Sequence, residues 1–255
     1  MNPLLDPGAR PVIGHRGAAA YAPENTLESF GLALELGADA LEFDIRRSAD
    51  GAAMVVHDAS LDRTTNLAGP VAARTRVDLG RADAGYRFRD EAGEYPFRGR
   101  GVGIPTLGDV IAAFPDVPLL IEIKEVEVQE AVARALRDQR AADRAVVAGA
   151  DARALAAFRE PPFLRGAAQA DIVRVYFGLG PADPTCRCYA VPDRYRGLPV
   201  PTRRFVRKVH AAASTVHVWT VDDARTALAL WRNGANGMVS NRPDVIRAAR
   251  AAFVP

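Results

Sequence analysis

The chain has 255 residues, 49% of them hydrophobic, and 33 Lys and Arg against 31 Asp and Glu leave a formal net charge of +2 spread along its length. A chain of this length buries a large core and suits a single α/β barrel of roughly 250 residues, and the lack of a basic tail argues against a nucleic-acid partner. No run of about 18 apolar residues occurs, and the N-terminus MNPLLDPGARP lacks a charged segment followed by an apolar one, so a soluble, cytoplasmic protein without stable membrane insertion is expected. Only two cysteines occur, Cys186 and Cys188, and the single residue between them is too tight for an ordinary disulfide.

Strand-like apolar runs recur along the chain: PVIGH at 11–15, ALEFDI at 40–45, AAMVVH at 52–57, LLIEIK at 119–124, AVVAGA at 145–150, VHVWTV at 216–221 and GMVS at 237–240. Helical patterns stand between most of them, over 26–36, 106–114, 126–139, 151–158, 202–213, 222–233 and 243–252. This is the rhythm of parallel βα units. In the first helix Asn25 is placed to cap, Glu28 to complete a capping box, and Leu27, Phe30 and Leu34 form one apolar stripe that Gly37 ends. Glu24 is not needed for that cap and is free to face the loop after the first strand.

Two regions break the rhythm. Residues 59–103 are rich in Arg, Asp and Gly and too long for an ordinary loop, so they are expected to form a small insertion on a βα connection. Residues 161–201 are expected to hold the fifth and sixth strands, near 164–169 and 185–190, with DIVRVYFGL as a helix between them.

Candidate chemistry follows from the strands. In LEFDI, Leu41, Phe43 and Ile45 alternate with Glu42 and Asp44, and in LIEIK, Ile121 and Ile123 alternate with Glu122 and Lys124. A parallel sheet covered on both faces normally carries continuous apolar runs, so carboxylates near two strand ends call for a purpose, and strand C-termini are where a barrel collects its catalytic groups. Three close carboxylates repel one another unless a cation or raised pKa values relieve them. A hard, oxygen-seeking divalent cation, Mg²⁺ or Ca²⁺, suits Glu42, Asp44 and Glu122, and Lys124 offers a fixed cation or a phosphate contact beside it. His15 and His57 each end a predicted strand, and two imidazoles at one mouth suit acid–base chemistry on an ester. Arg16 follows with forked donors that match phosphate oxygens, and Gly17 permits a turn with the backbone close to a ligand. His210 falls in a predicted helix as a surface residue, whereas His217, on the face of Trp219, reads as packing.

With these residues in hand, the chain resembles the glycerophosphodiester phosphodiesterase family. GHRG, PENT, LEFDIR, VVHD followed by LDRTTN, IPTLGDV, IEIK, VHVWTVDD and NRPD occur in the family's order through nearly the whole length. The resemblance implies one phosphodiesterase domain over 1–255, a TIM-type (β/α)₈ barrel with a small insertion after the second strand. It implies hydrolysis of a small-molecule glycerophosphodiester to an alcohol and sn-glycerol 3-phosphate. By the same pattern His15 and His57 are the acid–base pair, Arg16 and Lys124 stabilise the phosphate, and Glu42, Asp44 and Glu122 hold the divalent cation. Glu24 and Asn25 of PENT support the site, and Trp219 lines the glycerol end. The family often has Asn where this chain has Asp222 and Asp where it has Asn241, a departure that bears on pocket polarity or packing.

Two rival readings stand beside this one. A phospholipase D-like relative acting on lysophospholipid and releasing a cyclic phosphate would carry an aromatic-rich loop near the mouth; the predicted insertion, with Tyr86, Phe88, Tyr95 and Phe97 among many charges, argues against it. A barrel that binds a phosphodiester without turning it over would lack a histidine or an acidic ligand, and none is lacking.

Overall fold

The computed structural model describes residues 2–254. In chain order the strands are β1 (Val12–His15), β2 (Ala40–Arg47), β3 (Ala53–Val55), β4 (Leu119–Ile123), β5 (Ala145–Ala148), β6 (Leu164–Gly166), β7 (Cys186–Pro192), β8 (Arg194–Tyr195), β9 (Leu198–Pro199), β10 (Thr215–Trp219) and β11 (Gly237–Ser240). Eight of these are parallel staves in the order β1-β2-β4-β5-β6-β7-β10-β11, and β11 pairs with β1 to close the barrel. The helices are α1 (Leu27–Glu35), α2 (Arg76–Gly80), α3 (Leu107–Ala113), α4 (Gln129–Asp138), α5 (Gln169–Phe177), α6 (Arg203–His210), α7 (Ala224–Arg232) and α8 (Pro243–Ala251). This is the TIM-type (β/α)₈ architecture. None of the helices is long and apolar enough to cross a membrane.

Strand alternation sorts the side chains. Leu41, Phe43 and Ile45 of β2 and Leu119, Ile121 and Ile123 of β4 pack outward with Phe30 of α1 and Val132 of α4. Glu42, Asp44 and Glu122 are thereby turned to the barrel interior. The ring centroids of Phe30 and Phe43 lie 5.4 Å apart, both rings fully buried. Replacing such a ring by Ala typically costs about 3–5 kcal/mol. The opposite, N-terminal end of the barrel is filled by Ile13, Leu120, Val146, Cys188 and Val239 together with Leu4.

Three local expectations are corrected. Residues 52–57 do not form a stave. The eight residues of β2 overshoot the barrel, the chain reverses at 48–51, and β3 returns antiparallel to Ile45–Arg47, so His57 follows this return instead of a parallel strand end. Residues 152–158 wind as a 3₁₀-helix, which sets Leu155 and Phe158, three apart, on the core. The cap of α1 is Thr26, whose side chain accepts from Ser29 N, while Asn25 sits at φ 59° outside the helix with its amide on Asp44. Glu28 therefore completes no capping box.

Candidate active site

β1 carries His15 to the barrel's C-terminal mouth, where Arg16 and Gly17 turn the chain with φ of 50° and 88°. A Cβ on Gly17 would lie 2.5 Å from the Ser29 carbonyl carbon, so the close approach of this turn to α1 requires the glycine. The turn is tied by Asn25 N to Arg16 O (3.0 Å) and by Ser29 Oγ to the same carbonyl (3.0 Å). Arg16 and Asn25 are both non-glycine residues in the left-handed region, and PENT thus fixes two residues of the mouth at once.

The imidazole of His15 is held by a residue that composition alone did not mark. Its Nδ1 lies 2.7 Å from Asn241 Oδ1, and Asn241 Nδ2 donates to Asp222 Oδ2 at 2.7 Å. Because the amide nitrogen is committed to that carboxylate, Oδ1 must accept, so Nδ1 carries the proton and Nε2 is bare, 4.0 Å from Glu42 Oε2. Burial and then Arg16 lower the His15 pKa, favouring the neutral ring. Asp222 and Asn241, the two departures from the family pattern, are direct partners, and the exchange keeps one amide and one carboxylate in the pair.

Glu42, Asp44 and Glu122 converge, each offering one oxygen within 4.8 Å of the others. Their environments differ. Burial, followed by the charges of Asp44 and Glu122, raises the Glu42 pKa well above the usual carboxylate range. Burial alone would raise Asp44 as well, but Lys124 and Arg16 hold it below. Lys124 Nζ bridges Asp44 Oδ1 (2.9 Å) and Glu122 Oε1 (2.7 Å), while Arg16 Nε stands 3.1 Å from Asp44 Oδ2 as an ion contact without hydrogen-bond alignment. The backbone N–H of Arg16 donates to Glu42 Oε2 at 3.1 Å, and Asn25 Nδ2 to Asp44 Oδ2 at 3.1 Å. The donors are all hard oxygens, and burial together with the charges of Asp44 and Glu122 disfavours a further negative charge on Glu42, so the cluster fits a divalent cation.

His57 is oriented through a different chain. Its Nδ1 meets Asp58 Oδ1 at 2.6 Å, Arg63 Nε donates to Asp58 Oδ2 at 2.5 Å, and the two terminal nitrogens of Arg63 fork onto Glu24 at 2.7 and 2.8 Å. Glu24 also accepts from Arg16 Nη1 at 2.8 Å, so one carboxylate ties the chain behind His57 to the arginine that follows His15. Arg63, ahead of the opposing effect of partial burial, brings the Asp58 pKa down to about 2. Asp58 and Arg63 stand in VVHD and LDRTTN, and their role was not read from the sequence. The signal was present in the spacing, an arginine five positions after the histidine's neighbour.

His15, Arg16, Glu42, Asp44, His57, Glu122 and Lys124 line a cleft of about 560 Å³ that also takes in Trp219, 42% exposed at the end of β10. His210 and His217 lie elsewhere. His210 bonds Asn236 at 2.8 Å, and His217 is buried beneath the barrel with its ring on Leu4 O and Gly237 N. Cys186 and Cys188 are free and buried, with thiols pushed up to about 12 by burial.

Comparison with known proteins places this geometry. A model of the "Glycerophosphoryl diester phosphodiesterase family" matches residues 15–245. The Bacillus subtilis protein YhdW is 32% identical over 244 residues, covering 92% of this chain and 96% of that protein. A glycerophosphodiester phosphodiesterase of Bacillus altitudinis is 28% identical over 246 residues, 91% and 95% of the two chains. Among solved structures, an Oleispira antarctica phosphodiesterase in complex with the product sn-glycerol-3-phosphate superposes with a TM-score of 0.77 at 25% identity, covering 95% of this chain and 97% of that one. The glycerophosphoryl diester phosphodiesterase domain of Rv2277c from Mycobacterium tuberculosis shares the fold with a TM-score of 0.86, covering 96% of this chain and 100% of that domain. The chain belongs to the glycerophosphoryl diester phosphodiesterase family, a family of phosphoric diester hydrolases.

Proposed function

We propose that this protein hydrolyses glycerophosphodiesters to an alcohol and sn-glycerol 3-phosphate with His15 and His57 as the acid–base pair and a divalent cation, Mg²⁺ or Ca²⁺, at Glu42, Asp44 and Glu122. The observation that carries the reading is the convergence on one mouth of two separately braced histidines and a carboxylate triad. Each histidine is anchored through Nδ1, which leaves an Nε2 to take or give a proton. Burial and Arg16 favour a neutral His15, which suits the base that removes a proton from the attacking water. His57, oriented by Asp58, then hands a proton to the leaving alcohol oxygen.

Arg16 and Lys124 face the same space and offer guanidinium and ammonium donors to phosphate oxygens. Both are held among carboxylates, so a phosphodiester anion reaches them only if the acidic charge is offset. When bound, the divalent cation supplies that offset and polarises a phosphoryl oxygen. Glu24 and Asn25 brace Arg16 and Asp44, and Trp219 offers an aromatic face to the glycerol. We read the chain as one phosphodiesterase domain, with 59–103 as an insertion after the second strand.

The test is release of glycerol 3-phosphate from glycerophosphocholine. His15→Ala and His57→Ala are each expected to lower turnover on the order of a hundredfold or more with an unchanged circular dichroism spectrum. A wild-type rate in either folded variant would remove the acid–base assignment.

A further inference from the structure

The two histidines are held at the mouth by unlike means. His15 ends β1, a stave paired with β2 on one side and β11 on the other. His57 has no such support, because it follows the antiparallel return of β3 and stands outside the parallel register of the barrel. Val56 N donates to Asp44 O at 3.0 Å, and Arg46 Nε donates to the His57 carbonyl at 2.6 Å. These bonds fix the main chain and leave the ring its own side-chain torsions. The group that sets the ring is the carboxylate of Asp58, which is itself 30% exposed on the following loop.

The residues after Asp58, SLDRTTN, supply the missing hold. Leu61 is fully buried in the same apolar cluster as Val56, the residue before His57. Thr65, also fully buried, donates its hydroxyl to Leu61 O at 3.0 Å and accepts from Leu67 N at 2.9 Å, which closes the turn on itself. Arg63 stands between these two anchors. Its side chain is 49% exposed, so Leu61 and Thr65 hold the turn and the guanidinium is left for another task. All three of its nitrogens are engaged, Nε on Asp58 and the two terminal nitrogens on Glu24. Glu24 belongs to the loop after β1, so the planar fork of Arg63 fixes the Asp58 carboxylate against a part of the chain outside its own loop. Arg63 is not among the residues that line the cleft, and it acts on the site only through these partners.

We propose that Arg63 is the positioning residue for proton delivery to the leaving alcohol: by clamping Asp58 to Glu24 it holds the His57 ring where Nε2 meets the departing oxygen. The inference rests on the assignment of His57 as the acid and deepens it. In the reaction, water adds to phosphorus, the bond from phosphorus to the alcohol oxygen breaks with its electron pair passing to that oxygen, and the oxygen takes the His57 proton. The products are the alcohol and sn-glycerol 3-phosphate. An alkoxide is a poor leaving group and depends on that proton, whereas 4-nitrophenolate departs without one. Displacing the ring by about 1 Å costs on the order of a hundredfold where the proton is needed. Loosening Arg63 therefore slows esters of ordinary alcohols and spares a nitrophenyl ester.

The experiment measures kcat and KM on glycerophosphocholine and on the 4-nitrophenyl diester of glycerol 3-phosphate, with the same added Mg²⁺ throughout, for the wild type, Arg63→Lys, Arg63→Gln and His57→Ala. Arg63→Lys keeps the charge and loses the fork. Both Arg63 variants are expected to lower kcat on glycerophosphocholine by about tenfold or more, with KM within about twofold, and to keep kcat on the nitrophenyl ester within about threefold of the wild type. His57→Ala is expected to show the same selectivity with a larger loss. Equal losses on the two esters in Arg63 variants whose circular dichroism spectra match the wild type would overturn the proposal, and so would an undiminished rate on glycerophosphocholine. Equal losses on the two esters in His57→Ala would sink the acid assignment itself, and the proposal with it.

Discussion

His217 ties the closed end of the barrel to the N-terminal segment, and acid should loosen that tie by a calculable amount. Its Nε2–H donates to Leu4 O at 2.9 Å, and its Nδ1 accepts from Gly237 N at 3.1 Å. A second proton on the ring would set Nδ1–H against the Gly237 N–H, donor against donor, in a fully buried position. Burial brings the pKa down from 6.5 to about 4. The unfolded chain therefore binds a proton near pH 6.5 that the folded chain refuses until about pH 4, so stability rises with pH between the two. The contribution is complete above about pH 6.5 and is lost as pH falls towards 4. At about 1.36 kcal/mol per pH unit, the gap amounts to roughly 3 kcal/mol. Urea unfolding at intervals from pH 7.5 to 4.5, run on the wild type and on His217→Gln, isolates the term, because the other acidic groups titrate in both. The wild type is expected to lose up to about 3 kcal/mol more than the variant over that interval, whatever the constant offset between them. Parallel stability curves would refute the reasoning.

Other outcomes follow from the same geometry. Asp58→Asn removes the carboxylate that orients His57 and is expected to lower kcat by about tenfold or more, short of the ~10⁴-fold that losing an orienting carboxylate costs a serine-protease triad; single-turnover rates check this, and an unchanged kcat would make Asp58 a surface group only. Glu42→Gln relieves the repulsion that raises the Glu42 pKa and still accepts from Arg16 N. It is expected to raise the melting temperature of EDTA-treated protein, by about 2–4 °C for each kcal/mol gained, while reducing the upward shift that added Mg²⁺ or Ca²⁺ gives the wild type; calorimetry reads both. Asn241→Asp is expected to raise the pH at which His15 loses its proton, since a carboxylate would then face Nδ1, and NMR titration of the ring follows it.

The barrel and the carboxylate triad were legible because the sequence broke a rule of parallel sheets. Glu42 and Asp44, two apart in β2, and Glu122 in β4 have no place in a doubly covered strand unless they face a site, and period 2 turns each away from its apolar neighbours without further knowledge. What stayed hidden depended on partners far along the chain. Asn25 has the right identity and position for a cap, but Asp44, nineteen residues on, takes its amide and leaves the cap to Thr26. The apolar run at 52–57 has no local feature that distinguishes a stave from the antiparallel return that β3 makes. The apolar stripe of α5 reads as core-facing by spacing alone, yet Phe177, in the last turn of the helix, is mostly exposed and lines the cleft. Asn241 and Asp222 drew attention only as departures from a pattern, and their contact, with His15 at its end, is tertiary.

The central claim is that a divalent cation on Glu42, Asp44 and Glu122 lets a phosphodiester share a cleft with acids and meet His15 and His57. The most direct measurement is glycerol 3-phosphate release from glycerophosphocholine by EDTA-stripped protein, before and after Mg²⁺ or Ca²⁺ is returned, with ³¹P NMR following the phosphorus products. The account predicts negligible release from the stripped protein and recovery with the cation. Full turnover after stripping would contradict it.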